Sequence, residues 1–295
     1  MKIFIAGGTG FAGEHLVAEL LRSGHTVRLL VHAPRSRPAG NVEHVAGDVT
    51  RLESFSQSLN GCDAVINLVG IIREFPSRWI TFERLHVTAT TNMLVAAAGS
   101  GISRYLQMSA LGTRPNAVSA YHQTKWQAEE LVRKSALDWT IFRPSLIFGP
   151  HDAFINMLAA QLRLAPVMPV IGSGSYRLQP IHADDVARCF TRALELPETV
   201  GQTYELCGND RLSYEALLDM VADALGKPRP LKPHLPLGLM KLIIQVLQKA
   251  PPFPITSDQL QMLLEESIGG NEWQQVFGFA PRDLRGGINE YLGKA

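Results

Sequence analysis

The chain has 295 residues, 46% of them hydrophobic and 19% charged, with a formal net charge of +1. That balance is globular, long enough to bury a sizeable core, and it excludes the basic field of a nucleic-acid binder as well as an acidic tail. Function therefore has to come from a site.

In chain order, "KIFIAG" predicts a strand, a helix follows from about Gly10 to Arg22, and "TVRLLVH" predicts the second strand. A helix near Leu52 to Leu59 leads to the strand "CDAVINLVG", and a helix near Phe82 to Ser100 leads to "RYLQMSA". A helix from Tyr121 to Ala136 and the strand "WTIFRPSLIFG" complete the alternation. Strands alternating with helices predict the α/β class, with a doubly wound parallel sheet. After Pro150 the rhythm loosens through "RLAPVMPVIGSGSY", "QPIHADDVARCFTRALEL" and "QTYELCG" to a helix from Tyr214 to Leu225. The proline-rich "GKPRPLKPHLPLG" predicts an exposed extended connection. The expected organisation is a sheet domain over residues 1–150, with a return segment near 176–206, and a smaller substrate lobe made mainly from 151–295. Cys62, Cys189 and Cys207 have no metal-ligand spacing and read as buried apolar residues of a reducing compartment, so no metal is expected. Met1 to Ala6 is interrupted by glycine too early for a signal peptide, and no run reaches the roughly 18 apolar residues of a spanning helix. A cytoplasmic protein is expected.

Gly7, Gly10 and Gly13 fall between the first strand and the first helix. In such a turn Gly7 permits an unusual backbone conformation, Gly10 leaves room for a diphosphate, and Gly13 lets helix and strand pack closely. The diphosphate then meets the helix N-terminus. The pattern predicts a bound nicotinamide dinucleotide, with Thr9 and Phe11 in the same turn. No carboxylate ends the second strand; "LLVHAPRSR" supplies His32, Arg35 and Arg37 instead, which suit a ribose 2′-phosphate and favour NADP over NAD. Asp48, with Val49, ends the third strand near the expected adenine. Asn67, Leu68, Val69 and Gly70 pass the fourth strand tip, and Pro144 ends the sixth.

A second set is Ser109 in "QMSALG" with Tyr121 and Lys125 in "SAYHQTKWQAEELV". Tyr121 and Lys125 lie one helical turn apart and share a face, and the strand order brings Ser109 to the same sheet edge. An adjacent ammonium is expected to lower the phenol below its ordinary value of about 10, so that Tyr121 passes a proton while Ser109 orients a carbonyl or hydroxyl. Lys125 also reaches the nicotinamide ribose.

Taken together, "GGTGFAG", "GDV", the Ser109, Tyr121, Lys125 set, "RPSLIFGP" and "QPIHADDVA" resemble the short-chain dehydrogenase/reductase superfamily over the whole chain. The resemblance implies a Rossmann-type parallel sheet of about seven strands with a C-terminal substrate lobe. More narrowly, "FERLHVTATTNMLVAAAGSGISRYLQMSALGT" and "PFPITSDQLQMLLEES" look like the atypical epimerase/dehydratase-like branch that includes alpha-subcomplex subunit nine, the nucleotide-binding accessory subunit of respiratory complex I. That implies NADPH binding and contact with a respiratory complex or the membrane periphery. Departures from the superfamily pattern are His86 where classical members carry a proton-relay asparagine, and Leu146 where sugar-nucleotide epimerases carry an asparagine. Arg177 remains available for a phosphate, His182 and Asp185 read as a strand-end histidine and a helix cap, and His122 is expected in solvent. The expected activity is that of an NADP(H)-dependent oxidoreductase on a hydrophobic carbonyl, hydroxyl or quinone-related small molecule. The alternatives are a cofactor-bound scaffold of a respiratory complex and a nucleotide-sugar epimerase or dehydratase. In "LPLGLMKLIIQVL" only Lys241 and Gln245 are polar, which predicts a helix buried in the lobe or, as the alternative, an apolar lid or membrane-touching helix bordered by Lys232, Lys241 and Lys249.

Overall fold

The computed structural model describes residues 1–32, 41–248 and 255–293. Arg35, Arg37 and Lys249 lie outside the described residues.

The chain runs β1 (Lys2–Ala6), α1 (Phe11–Arg22), β2 (Thr26–Val31), β3 (Val42–Ala46), β4 (Ala64–Asn67), α2 (Ala89–Gly99), β5 (Arg104–Met108), α3 (Ala120–Lys134) and β6 (Asp138–Pro144). It continues through β7 (Ile147–Phe148), α4 (Ala153–Leu164), β8 (Val170–Ile171), β9 (Arg177–Leu178), β10 (Ile181–His182), α5 (Ala183–Ala193) and β11 (Gln202–Leu206). The last part holds β12 (Leu212–Ser213), α6 (Tyr214–Ala224), β13 (His234–Leu235), α7 (Leu237–Leu247), α8 (Ser257–Leu264), α9 (Trp273–Phe277) and α10 (Leu284–Leu292). Seven parallel strands form the central sheet in the order β11-β6-β5-β4-β1-β2-β3. This is the Rossmann-type doubly wound sheet that the alternation predicts. Strand order reverses between β1 and β4, which opens a crevice at their carboxyl ends.

Both sheet faces are buried, so the strands read as continuous apolar runs rather than as alternations. In β1, Ile3 and Ile5 join Leu16 and Leu20 of α1 and Val186 and Phe190 of α5, while Phe4 and Ala6 pack with Phe55, Met93 and Tyr105 on the opposite face. Trp273 and Phe277 of α9 return to the first of these clusters. A third core links α4, α6 and α10 through Leu158, Leu217, Val221 and Ile288. The three cysteines are free and buried.

Several elements differ from the sequence expectation. Leu52 to Leu59 is two short 3-10 turns, Leu52–Ser54 and Ser56–Leu59, separated by Phe55, whose buried ring packs on Phe4. The helix near Phe82 opens with a π-turn over Glu83–Thr88 before α2. The strand "WTIFRPSLIFG" ends at Pro144, and Ile147–Phe148 pairs instead with β10. The proline-rich connection is partly docked, because His234–Leu235 pairs in parallel with Val170–Ile171. Burial of α7 in the lobe is not what the structure shows: only Ile244 of that helix is buried. Among the described residues no helix is long and apolar enough to cross a membrane.

Candidate functional site

The turn after β1 is built on close approaches. Gly7 has φ +81°, and a Cβ there would sit 2.9 Å from the backbone carbon of Leu68. A Cβ on Gly13 would lie 2.5 Å from the carbonyl oxygen of Gly7 and 2.6 Å from Gly8. Gly10 is different: its Cβ would meet only the Gly7 oxygen, at an ordinary 3.4 Å, with open space beyond. The protein itself forbids side chains at Gly7 and Gly13, whereas the space above Gly10 is left for a ligand. α1 starts at Phe11 with no side-chain cap on its amides, and Thr9 is exposed in the same turn. Uncapped amides, the positive end of a helix dipole and a vacant Cβ position together fit a dinucleotide diphosphate.

The loop 68–70 ties this turn to the second constellation. Asn67 ends β4 fully buried and is spent internally rather than beside a ligand. Its Nδ2 donates to Thr90 Oγ1, Tyr105 OH and Gln107 Oε1 at 3.1–3.3 Å, and its Oδ1 accepts from Val69 N–H at 3.1 Å. Lys125 Nζ donates to Val69 O and to Met108 O, both at 3.3 Å, and a Cβ on Gly70 would lie 2.9 Å from it. One buried ammonium therefore bridges the tips of β4 and β5. Ser109 follows β5 directly, with its hydroxyl 3.4 Å from Thr113 Oγ1, and Pro144 lies buried at the end of β6 with its carbonyl accepting from Leu111 N–H at 2.9 Å.

Tyr121 occupies the first turn of α3, capped by Ser119, whose hydroxyl accepts from His122 N–H at 3.2 Å. Its ring meets Phe82, His86 and His122 edge-on at centroid distances of 5.8, 5.3 and 5.1 Å. Burial pushes the Tyr121 phenol up to about 12 and the Lys125 ammonium down to about 8, Glu129 opposing the latter. Desolvation is the one cause that moves the phenol, and it moves it upward, contrary to the lowering expected from the lysine. His86, on the π-turn, accepts from Ile71 N–H through Nε2 at 3.2 Å, which leaves Nδ1 as the donor to Thr124 Oγ1 at 2.9 Å. Burial, aided by Lys125, holds His86 down at about 2, so it stays neutral.

The remaining predicted residues divide. Phe11 opens α1, His32 is exposed after β2, and Val49 is buried behind Asp48. Asp48 Oδ1 is occupied by Thr50 N–H and Oγ1–H, both at 2.8 Å; burial raises its carboxyl, but those bonds outweigh it and leave it low. His122 is buried, not solvated, with Nδ1 3.0 Å from Ser119 Oγ. Arg177 is held by Glu266 at 2.8 and 2.7 Å and does not wait for a phosphate. His182 itself caps α5, its Nδ1 accepting from Asp184 N–H at 3.1 Å, while Asp185 accepts from Arg282 N–H at 2.7 Å. Sequence reasoning missed Glu129, fully buried and clamped by Arg133 and Arg143. Its position four residues after Lys125 was the available signal.

The sequence profile of the NAD dependent epimerase/dehydratase family matches residues 3–207. The chain belongs to that family. Among its relatives, the mitochondrial NADH dehydrogenase (ubiquinone) 1 alpha subcomplex subunit 9 of Arabidopsis thaliana is 30% identical over 98% of this chain and 76% of its own length. A ceramide reductase of Caulobacter vibrioides is 31% identical over 66% of this chain and 63% of its own. The solved structure of MoeE5 in complex with UDP-glucose and NAD shares the fold of this epimerase/dehydratase-family chain, with a TM-score of 0.77, 22% identity and coverage of 99% of this chain and 97% of that one.

The two glycines give a contrast. Gly13→Ala is expected to lower stability by about 3 kcal/mol, because backbone must move. Gly10→Ala is expected to cost within about 1 kcal/mol, the usual range at a helix N-cap, yet to weaken dinucleotide binding at least tenfold. Thermal melts and calorimetry read the two effects separately.

Lys125 carries a pH signature. Its folded value, about 8, lies below the ordinary 10.5, so the unfolded chain binds the extra proton between those values. Wild-type stability measured against Lys125→Met is therefore expected to rise as pH climbs from 8 toward 10, by up to about 3 kcal/mol. A difference that stays flat across that window rejects the buried ammonium.

Proposed function

We propose that this protein is an NADP(H)-dependent oxidoreductase that acts on a hydrophobic carbonyl, hydroxyl or quinone-related compound, taken here in the direction of carbonyl reduction. The observation that carries the reading is Lys125, whose ammonium joins the tips of β4 and β5 one turn beyond Tyr121 and touches the same loop 68–70 that the glycine turn approaches. A reduced nicotinamide, when bound, supplies the hydride. Ser109 Oγ–H holds the substrate oxygen. Tyr121, protonated at neutral pH, gives its phenolic proton to that oxygen as negative charge develops there, so a carbonyl plus hydride plus proton leaves as an alcohol. Lys125 stabilises the phenolate so formed and holds the ribose. A phenol kept protonated by burial is ready to donate, as reduction of a carbonyl requires. The Caulobacter relative, named a ceramide reductase, supports a hydrophobic substrate. A cytoplasmic, membrane-peripheral location is part of the same reading.

A second reading, a cofactor-holding scaffold of a respiratory complex, is favoured by the plant subunit that matches 98% of this chain. A nucleotide-sugar substrate is disfavoured by Leu146 and by the Arg177–Glu266 pair.

NADPH is expected to bind more tightly than NADH, and an Arg35→Ala, Arg37→Ala double variant to lose that preference in calorimetry. Equal affinities for the two cofactors in the wild type reject the NADP assignment.

Tyr121→Phe is expected to keep the fold and most cofactor affinity while lowering turnover by about 10² to 10⁴, and Lys125→Met to impair both. Complementation of a deletion strain reads this without a known substrate. Full rescue by Tyr121→Phe, with none by Gly10→Ala, rejects the catalytic reading in favour of the scaffold.

A further inference from the structure

The segment between Ile71 and Phe82 is anchored to the candidate catalytic cluster at both ends. Ile71 N–H donates to His86 Nε2 at 3.2 Å, and the Phe82 ring stacks on His86 at 5.3 Å and meets Tyr121 edge-on at 5.8 Å. Between these anchors lies a short hairpin, closed by Phe75 N–H to Ile80 O at 2.8 Å and Ile80 N–H to Phe75 O at 3.2 Å. Trp79 at its tip has φ +58°, left-handed backbone that a bulky residue rarely adopts, and the side chain is 74% exposed. Arg84 holds it there, donating to Trp79 O at 3.1 Å with its guanidinium 5.8 Å from the indole centroid. Strained backbone thus places an indole in water beside Ile72 and Phe75, which are exposed as well.

A second apolar surface belongs to α7, which buries Ile244 against the protein yet keeps further apolar side chains outside. Lys241, Gln245 and Gln248 line the cleft toward α8. Leu239, Leu242 and Val246, spaced to share one face, point away from the protein, with Leu242 60% and Val246 67% exposed. Arg73 Nη2 donates to Gln248 O at 3.3 Å, tying the hairpin to the carboxyl end of α7, so the two surfaces adjoin. α8 in turn reaches the catalytic helix, Asp258 Oδ1 accepting from Ala120 N–H at 2.9 Å.

The charge is one-sided. Residues 226–248 contain no acidic side chain. The hairpin has one, Glu74, and its carboxylate is occupied by Phe82 N–H at 2.6 Å. Lys241 and Arg78 are exposed cations at the edges.

We propose that hairpin 71–80 and α7 form one surface that lies shallowly in an anionic phospholipid bilayer, with the indole and aliphatic side chains at the interface and Lys241 and Arg78 at the headgroup phosphates. An apolar protein patch would cover the leucine and valine side chains, but a projecting tryptophan flanked by Lys241 and Arg78, exposed and in no ion pair among the described residues, matches an anionic lipid surface better. The mouth of the site then opens on the membrane. Resting on the oxidoreductase reading above, the substrate class is a carbonyl lipid drawn laterally from the bilayer.

The test is flotation of the full chain with vesicles of phosphatidylcholine alone or phosphatidylcholine with phosphatidylglycerol. Wild type is expected to float with the anionic vesicles, less so as salt rises. Trp79→Ser and the Leu242→Gln, Val246→Gln double variant are each expected to lower the partition coefficient about tenfold with an unchanged melting temperature. Quenching of wild-type tryptophan fluorescence by brominated lipid in the anionic vesicles reads the same contact without any variant. Tyr121→Phe is expected to float like wild type, so a loss of turnover there bears on the reaction and not on the docking. Wild type left in the soluble fraction with anionic vesicles, an absence of quenching, or variants that float undiminished overturns the proposal and leaves the face to a protein partner.

Discussion

Where β1 and β4 end side by side, their loops come so near that one extra carbon on Gly7 would strike the backbone of Leu68. Everything that makes the crevice useful depends on that approach. It sets loop 68–70 at a fixed height above the sheet, and Asn67, with its side-chain donors and acceptor bonded beneath, keeps the loop from sliding. Lys125 reaches Val69 O in the same loop. The loop is therefore shared by the glycine turn, through Gly7, and by the buried Lys125, so that the two are built on one piece of backbone.

Keeping an ammonium against that loop is costly. Burial in apolar surroundings penalises the charged form, and two carbonyl oxygens with Glu129 nearby offset only part of the penalty. Glu129 is itself fully buried and is satisfied by Arg133 and Arg143, with Arg133 also stacked on Trp126 at 4.8 Å. The charges form a chain from the crevice outward along α3, a polar interior that an apolar core would not need for stability alone.

The sheet and the crevice were legible in the sequence because they rest on local patterns. A glycine spacing, a strand-length apolar run and a one-turn separation of Tyr121 and Lys125 all survive folding unchanged. What was not legible depended on distant partners. Nothing near Arg177 announces Glu266, nothing near His122 announces its burial beside Glu265, and an apolar stretch such as that of α7 reads the same whether its leucines face a core or face outward. The break after Pro144 was also hidden, since both halves of "WTIFRPSLIFG" have strand composition and only tertiary pairing separates them.

The return of α9 to the sheet joins residues 273–277 to a core begun by β1. Trp273 and Phe277 fill the face beside β11, where Trp273 Nε1–H donates to Cys207 O at 3.1 Å and Phe277 packs on Phe142 and Tyr204. A nascent chain that has already made all seven strands still lacks the side chains that close one face of their core. During synthesis the sheet stays open on that side until residues 273–277 have emerged. Its completion is a late, long-range event of the kind that slows folding and calls for protection in the interval.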